Sequence, residues 1–288
     1  MEVSELRKKI YARVDELPTI PAVVPRLTRT LQDEEHDIRE VIELISQDPA
    51  LTAKILKVAN SAYYGFPQQI TTLERAVALL GSNMVKSLAI SVGVINSLPK
   101  GKGLMGFSVQ DLWIHSLSVA NVASQLSSLT EPKGSDEVYF VIGLLHDIGK
   151  LVLVEFFQDG FQQSLNYTLE HKLSLAQAEK EIIGLDHGEV GGILLERWRF
   201  PPEIRLPIQF HHADEQLSSN SDRAIAVLHI ADEIAREVCV GESGNKAPPL
   251  VVESHLNRLG LGWHDLERVK QGLWATSDKL QNFFHAIS

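Results

Sequence analysis

Apolar residues recur at helical spacing along nearly the whole sequence, and this period constrains the fold more than any other feature. Leu73, Ala76, Val77 and Leu80 occupy one helical face. A longer stripe in the middle of the chain consists of Leu112, His115, Val119, Val122 and Leu126. We find no convincing strand pattern and no internal repeat. The sequence therefore predicts an all-α, multi-helix fold.

Helix-start signals divide this pattern into segments. Asp48 followed by Pro49 predicts an N-cap and a first helical residue. Capping-box spacing predicts further starts at the pairs Thr71 and Glu74, Ser174 and Gln177, and Asp186 and Glu189. The last of these pairs places His187 in the first turn of a helix.

The segment from 99 to 106 holds three glycines and a proline, and it is the best candidate for a domain boundary. We predict an N-terminal helical subdomain over 1–105, a core over 107–245 and a C-terminal helical extension over 246–288. Helical spacing in the extension predicts that it packs onto the body through Leu266, Val269, Leu273, Leu280 and Phe283.

Charge and composition exclude several classes of protein. Lysine and arginine number 27 against 37 acidic residues, and this net charge of −10 argues against a nucleic-acid partner. The N-terminus lacks the apolar core of a secretory signal, and no apolar run is long enough for a membrane span. The single cysteine, Cys239, excludes an internal disulfide and is expected to be a small buried residue. We therefore expect a cytoplasmic protein.

His146 and Asp147 lie inside an otherwise apolar stretch over 141–154, which we interpret as one buried helix. A buried carboxylate is costly unless a cationic group pairs with it. Distant histidines and a second aspartate offer such partners. Imidazoles and carboxylates that converge on one buried point indicate a divalent metal ion.

The candidate ligands fall into two groups. His115, His146, Asp147 and Asp232 would hold a first ion. His187, His211 and His212 would help to hold a second ion, with Asp147 as a bridge. One or two ions are expected, and such ligands suit iron, manganese, nickel, zinc or magnesium. In an enzyme, a two-metal centre would activate water for attack on phosphorus, and Lys150 would contact the phosphate.

Each residue also has an ordinary interpretation. His115 alone is typical of a hydrogen-bonded core histidine, whereas His187 and the 211–212 pair are typical of surface positions. Asp232 alone fits a solvated helix edge. The remaining histidines are taken as incidental: His36, His171, His229, His255, His264 and His285. Only the buried pair at 146–147 favours a metal site, so chemistry alone leaves both interpretations open.

Several short motifs resemble a known family. Residues 143–150, Gly-Leu-Leu-His-Asp-Ile-Gly-Lys, are similar to the signature of the HD superfamily of metal-dependent phosphohydrolases. The wider chain resembles the HDOD (HD-related output domain) family over about residues 10 to 240. The other matching stretches are residues 17–21, 47–52, 59–65, 80–81, 113–116, 186–191 and 211–212. The resemblance implies an HD-domain-like helical bundle with an N-terminal helical subdomain.

The resemblance also implies a bacterial signalling context. HDOD proteins are mostly regarded as output or interaction modules, and many have lost part of the metal-ligand set. This chain departs from that trend because all seven positions of the extended set carry ligand-type residues. It also lacks the Gly-Tyr-Pro element of the HD-GYP cyclic-di-GMP phosphodiesterases, since residues 213–216 are Ala-Asp-Glu-Gln. We therefore do not infer hydrolysis of cyclic-di-GMP.

The sequence leaves two functions open. The favoured one is a signalling output module with a structural or sensory metal centre, whose partner is a signalling protein, for example of a two-component system. The alternative is a metal-dependent phosphohydrolase or phosphodiesterase acting on a nucleotide, with Asp147 and Lys150 in the catalytic centre. The complete ligand set favours the enzyme. The lack of a recognisable nucleotide-binding element argues against it.

The aromatic loop over 60–66 has a functional and a structural interpretation. It can be a partner-binding loop, or a turn that packs Tyr63 and Phe66 into the core and leaves Tyr64 exposed. We favour the second interpretation, because loops of this composition usually only reverse the chain.

Overall fold

The computed structural model of this protein describes residues 3–17, 19–31, 38–98, 103–130, 136–212 and 219–287. In these ranges all regular secondary structure is α-helical, which confirms the predicted fold class. The only sheet-like feature described is an isolated bridge between Leu104 and Phe107. No single described helix is long and apolar enough to cross a membrane, although residues 73–80 and 82–97 together pass that test as a pair bent by 118°.

The helices follow one another in three stretches. The N-terminal stretch contains α1 (Val3–Glu16), α2 (Val23–Thr30), α3 (Ile38–Ser46), α4 (Pro49–Ala59), α5 (Leu73–Leu80) and α6 (Ser82–Ser97). The middle stretch contains α7 (Val109–Thr130), α8 (Asp136–Leu145), α9 (Ile148–Phe156), α10 (Gln158–His171), α11 (Leu175–Ile182), α12 (His187–Arg197), α13 (Pro202–Phe210) and α14 (Ser219–Val238). The C-terminal stretch contains α15 (Glu253–Leu259) and α16 (Trp263–Ile287).

Buried apolar residues form one continuous cluster through all three stretches. Helix α6 packs against both α2 and α8, and α16 packs against both α4 and α7. The predicted division into three parts stays a prediction. Residues 99–102 of the proposed boundary lie outside the described residues.

Most predicted helix starts are confirmed by side-chain caps. The Asp48 carboxylate accepts hydrogen bonds from the backbone N–H groups of Ala50 and Leu51, at 3.0 Å each. Reciprocal capping boxes begin α11 at Ser174 and α12 at Asp186. The prediction for α5 was wrong by one residue, because Thr72 rather than Thr71 accepts the hydrogen bond from the first turn.

We expect Asp48→Ala to lower the free energy of unfolding by about 1 kcal/mol, because two N–H groups at the start of α4 lose their acceptor. Urea denaturation monitored by circular dichroism would measure the change. Asp48→Asn is the matched control, since the amide oxygen retains the acceptor. Equal stability of the two variants would show that the cap does not contribute.

The break between α8 and α9 corrects the single helix predicted over 141–154. Helix α8 ends at Leu145 and α9 begins at Ile148, so His146 and Asp147 form a turn between them. Asp147 has φ −97° and ψ 10°, which is outside the helical region. On a continuous helix, adjacent side chains diverge by roughly 100°. The break allows both side chains to face one interior point.

The C-terminal extension packs onto the body as predicted, with all five of its predicted contact residues buried. Phe283 of α16 lies against Tyr63 and Tyr64, with ring centroids 5.2 and 6.2 Å apart. Tyr64 is therefore half-buried, not the exposed member of its loop. The Tyr63 hydroxyl accepts a 2.6 Å hydrogen bond from Asn121 of α7.

Cys239 corrects another prediction, because it is exposed and not buried. Helix α14 ends at Val238, and Cys239 adopts a left-handed φ of 58° directly after it. A helical pattern continued across this position would place the thiol on the inner face. The end of the helix turns it outward instead.

Candidate metal centre

All seven residues predicted as metal ligands come together in the interior. Helix α7 supplies His115, the α8–α9 turn supplies His146 and Asp147, the start of α12 supplies His187, and α14 supplies Asp232. The other two, His211 and His212, follow the end of α13. Six of the seven are buried and His212 is half-buried. The ordinary interpretation of His187, His211 and His212 as surface residues is wrong.

The first group surrounds one oxygen of Asp147. Its Oδ2 lies 3.3 Å from His146 Nε2 and 3.9 Å from His115 Nε2. Asp232 Oδ1 lies 2.9 Å from His115 Nε2 and 3.8 Å from His146 Nε2. Two imidazoles and two carboxylates therefore face a common point.

The second group lies on the other side of the same carboxylate. Asp147 Oδ1 is 3.1 Å from His187 Nε2, and His187 Nε2 is 2.8 Å from His212 Nε2. The His211 ring lies 3.8 Å from that of His212 and 5.4 Å from that of His187, measured between centroids. The two oxygens of Asp147 thus face one histidine group each, which is the geometry of a bridging ligand.

Nδ1 hydrogen bonds orient three of the rings. His146 Nδ1 donates to the carbonyl oxygen of Gly143 and His211 Nδ1 to that of Ile208, both at 2.7 Å. His187 Nδ1 lies 2.6 Å from Glu179 Oε2. A proton held on Nδ1 makes Nε2 the nitrogen that can bind a metal ion when the ring is neutral, and such outer contacts are typical of metal-binding histidines.

Several inward-facing atoms have no hydrogen-bond partner among the described residues. They are both ring nitrogens of His115, the Nε2 atoms of His146 and His211, and Asp232 Oδ1. His115 Nε2 and Asp232 Oδ1 are close together yet lack hydrogen-bond geometry. Buried polar atoms without partners are rare and need an explanation. Two divalent ions would satisfy four of the five atoms, three of them in the first group and His211 Nε2 in the second, because such an ion takes imidazole nitrogen and carboxylate oxygen together.

The donor set therefore fits one or two divalent ions. Among the described residues, two sets of three have ligand atoms within 4.8 Å of one another, which is close enough to share one ion. The sets are His115, His146 and Asp147, and His187, His211 and His212. When bound, such ions supply Lewis acidity and an activated water. Nothing in the ligand set selects among iron, manganese, nickel, zinc and magnesium.

Two glycines of the 143–150 motif allow the close helix packing that builds the site. A methyl group at Gly143 would lie 2.6 Å from the Cα atom of Ala120, so glycine lets α8 approach α7. A methyl group at Gly149 would overlap the carbonyl oxygen of His187 and lie 2.7 Å from the amide nitrogen of Gly191. Glycine there lets α9 touch α12, which brings Asp147 to His187.

Lys150 is buried with Asp147. Its Nζ donates to Asp147 Oδ2 at 2.6 Å and to the carbonyl oxygen of Ser243 at 2.9 Å. The ammonium group therefore balances the charge of the bridging carboxylate in this structure. The predicted phosphate contact of Lys150 stays a prediction.

The charges in the site act on one another strongly. Burial raises the pKa of Asp147, but His146, Lys150 and His187 outweigh burial and hold that pKa well below its usual range. Burial likewise raises the pKa of Asp232, but His115 and His146 together outweigh burial and lower that pKa. Both carboxylates are therefore ionised at neutral pH, as metal ligands must be.

The histidines differ in their charge. Burial lowers the pKa of His211 to about 3, and the neighbouring His187 and His146 act in the same direction. Burial also lowers the pKa of His187, but the Glu179 and Asp147 carboxylates together outweigh burial and raise that pKa to about 9. His211 is therefore neutral at pH 7 and can offer Nε2 to a metal ion. His187 instead has the Glu179 carboxylate as its partner.

Sequence reasoning missed two residues of the site, Glu179 and Ser243. Glu179 lies on the buried face of α11 with Leu175, Ala176 and Ala178. An acidic residue four positions after Leu175 on an apolar stripe is a signal that could have identified it. Ser243 contributes only a backbone carbonyl, and no side-chain pattern could have indicated that contact.

The helical fold and the converging His/Asp cluster define the HD type of helical protein. A sequence profile of the HDOD domain matches residues 17–214, and the chain therefore belongs to the HDOD family. A protein of uncharacterised function from Treponema pallidum (strain Nichols) is 24% identical over 213 residues, which is 73% of this chain. The chain spans 40% of the length of that relative.

Solved structures share the fold over nearly the whole chain. An HDOD domain protein of unknown function from Geobacter sulfurreducens is 27% identical with a TM-score of 0.79, covering 98% of this chain and 99% of that one. A Shewanella amazonensis SB2B protein, provisionally named a phosphohydrolase, is 26% identical with a TM-score of 0.73, covering 97% and 98%. A provisionally named signal transduction protein from Marinobacter aquaeolei VT8 is 19% identical with a TM-score of 0.82, covering 99% and 66%, and shows the fold alone.

Proposed function

We propose that this protein is a signalling output module of the HDOD type that carries a divalent-metal centre with structural or sensory roles. One observation carries the metal centre: seven histidine and aspartate side chains converge in the interior, and several of their inward-facing nitrogen and oxygen atoms lack hydrogen-bond partners in the described part of the chain. Membership of the HDOD family supports the signalling role.

Burial of the centre favours a structural or sensory role over turnover. His115, His146, Asp147 and His187 are each at most 2% exposed, so a bound ion would be enclosed by protein. Lys150, the candidate phosphate contact, is engaged by Asp147 and by Ser243. A substrate would have to displace the second of these contacts. We propose that helical surfaces bind a partner signalling protein, for example of a two-component system.

Protein purified without chelators or a histidine tag is expected to contain one or two equivalents of divalent metal per chain. Chelation should lower the melting temperature by roughly 5–10 °C, because a ligand at a hundredfold excess over its Kd contributes about 2.7 kcal/mol. Elemental analysis and differential scanning calorimetry would measure both. If the protein folds well without metal and its melting temperature does not change when ions are added, the metal centre is contradicted.

A second candidate function is a phosphohydrolase or phosphodiesterase acting on a nucleotide. The observation that favours it is the bridging position of Asp147, whose two oxygens face separate histidine groups. Bound side by side, two ions would supply an activated water and stabilise the leaving oxygen. In this role Asp147 would hold both positions, and Lys150 would keep its carboxylate oriented.

A substrate screen separates the two functions. Metal-reconstituted protein would be tested against nucleoside phosphates, cyclic nucleotides and bis-p-nitrophenyl phosphate, with each candidate metal in turn. Turnover that disappears in Asp147→Asn would establish the enzyme. Full metal loading without turnover would favour the signalling module. Lys150→Ala is a poor discriminator, because its ammonium also supports Asp147.

A further inference from the structure

Glu179 is a fully buried carboxylate that no motif of the sequence accounts for. It lies at 0% exposure on α11, among Leu175, Ala176 and Ala178. Taking an ionised carboxylate out of water is costly unless specific partners compensate. The partners that it has therefore indicate what it does.

Both hydrogen-bond contacts of the Glu179 carboxylate are made with one residue of the site, His187. Oε2 accepts the backbone N–H of His187 at 2.8 Å and lies 2.6 Å from Nδ1 of the same ring. His187 is the first residue of α12, so this carboxylate also faces the positive end of a helix. The other oxygen, Oε1, is buried without a hydrogen-bond partner among the described residues. A single side chain thus fixes both the backbone and the ring of His187.

His187 differs in this respect from two other histidines of the site. The Nδ1 atoms of His146 and His211 donate to neutral backbone carbonyl groups. The Nδ1 atom of His187 faces a charged carboxylate. A carboxylate partner makes an imidazole a stronger metal ligand than a carbonyl partner does.

Negative charge is distributed unequally between the two groups of the site. The group around His115 and His146 has two carboxylates, Asp147 and Asp232. The group of His187, His211 and His212 has three imidazoles and, as the one carboxylate oxygen that faces it among the described residues, the shared Oδ1 of Asp147. A divalent ion in the second group would be the less well neutralised of the two. Glu179 supplies the missing charge through His187.

We propose that Glu179 is a positioning residue for the second metal ion, which it serves by orienting His187 and by adding negative charge behind that ligand. The inference rests on the proposed metal centre. It predicts that the binding affinities of the two ions depend unequally on Glu179, because no described contact joins Glu179 to the group around His115.

Two variants of Glu179 separate orientation from charge. Glu179→Gln keeps an oxygen that can accept both His187 contacts but removes the charge. Glu179→Leu removes the charge and both contacts. Ser174→Ala is the matched control, because it weakens the capping box of the same helix without touching the site. Each full-length protein would be stripped of metal and titrated with Co²⁺, whose visible absorption reports coordination number and geometry.

Wild-type protein and Ser174→Ala are expected to bind two Co²⁺ ions with the same spectrum. Glu179→Leu should bind one ion with wild-type affinity and lose about 100-fold in affinity for the other. Glu179→Gln should bind both, with the weaker site reduced about tenfold and its absorption bands unshifted. If Glu179→Leu does not fold, the Glu179→Gln titration decides.

Other outcomes would overturn the inference. Two ions bound by both Glu179 variants with wild-type affinity and spectrum would show that Glu179 does not act on the metal. Equal weakening of both ions, or a loss that Ser174→Ala reproduces, would show a merely structural role. Wild-type protein that binds no Co²⁺ would instead refute the metal centre itself, and that result is read before any variant is compared.

Discussion

Replacing Asp147 with alanine is expected to abolish metal binding and to lower the free energy of unfolding by about 3–5 kcal/mol. The two oxygens of the carboxylate each face one of the histidine groups, so both proposed ions would lose a shared ligand. The variant also leaves the Lys150 ammonium buried at 2% exposure without its ion-pair partner. Elemental analysis and urea denaturation would measure the two effects.

The two effects can be separated with a double variant. Asp147→Ala with Lys150→Met removes the unpaired charge, so most of the stability should return while metal binding stays lost. Measurements in the presence of a chelator isolate the ion-pair contribution from that of the metal. Full metal content and an unchanged melting temperature in Asp147→Ala would show that the proposed centre is wrong.

Gly149→Ala should be strongly destabilising, by about 3 kcal/mol, although alanine ordinarily stabilises a helix interior by roughly 1 kcal/mol over glycine. The added methyl group would overlap the carbonyl oxygen of His187, which is backbone and cannot rotate away. Helix α9 would have to move from α12 and take Asp147 away from His187. We therefore expect weaker metal binding together with the loss of stability.

Gly160→Ala in α10 is the matched control. The nearest atom to its added methyl group would be a side-chain carbon of Ile183 at 3.3 Å, which can adjust. Its stability should stay within about 0.5 kcal/mol of the wild type. Equal stability of both variants in thermal unfolding would mean that the approach of α9 to α12 does not depend on Gly149.

Sequence patterns predicted much of this protein because the relevant physics is local. The helical period reports which face of each segment is buried, and the caps at Asp48, Ser174 and Asp186 report where segments begin. The ligand residues could be identified because histidines and aspartates stand out in apolar surroundings. The packing of α16 followed from its apolar stripe in the same way.

Contacts between distant segments could not be predicted in this way. Tyr64 is half-buried because Phe283, more than 200 residues later, lies against it. The charge partner of His187 is Glu179, and whether α11 presents it to the ring depends on how two helices meet. Burial patterns report that a residue faces inward but not what it faces.

By itself, the sequence determined that the chain is all-helical, where several helices begin, and which seven residues have the chemistry of metal ligands. Only the tertiary structure decided that α8 and α9 break at His146 and Asp147, and that Lys150 neutralises Asp147. It also decided how closely the two predicted groups approach the two oxygens of Asp147, at 3.3 and 3.1 Å. The physical reason is that helix propensity and amphipathicity act over a few neighbouring residues, whereas a metal centre is defined by distances of a few ångströms between helices far apart in sequence.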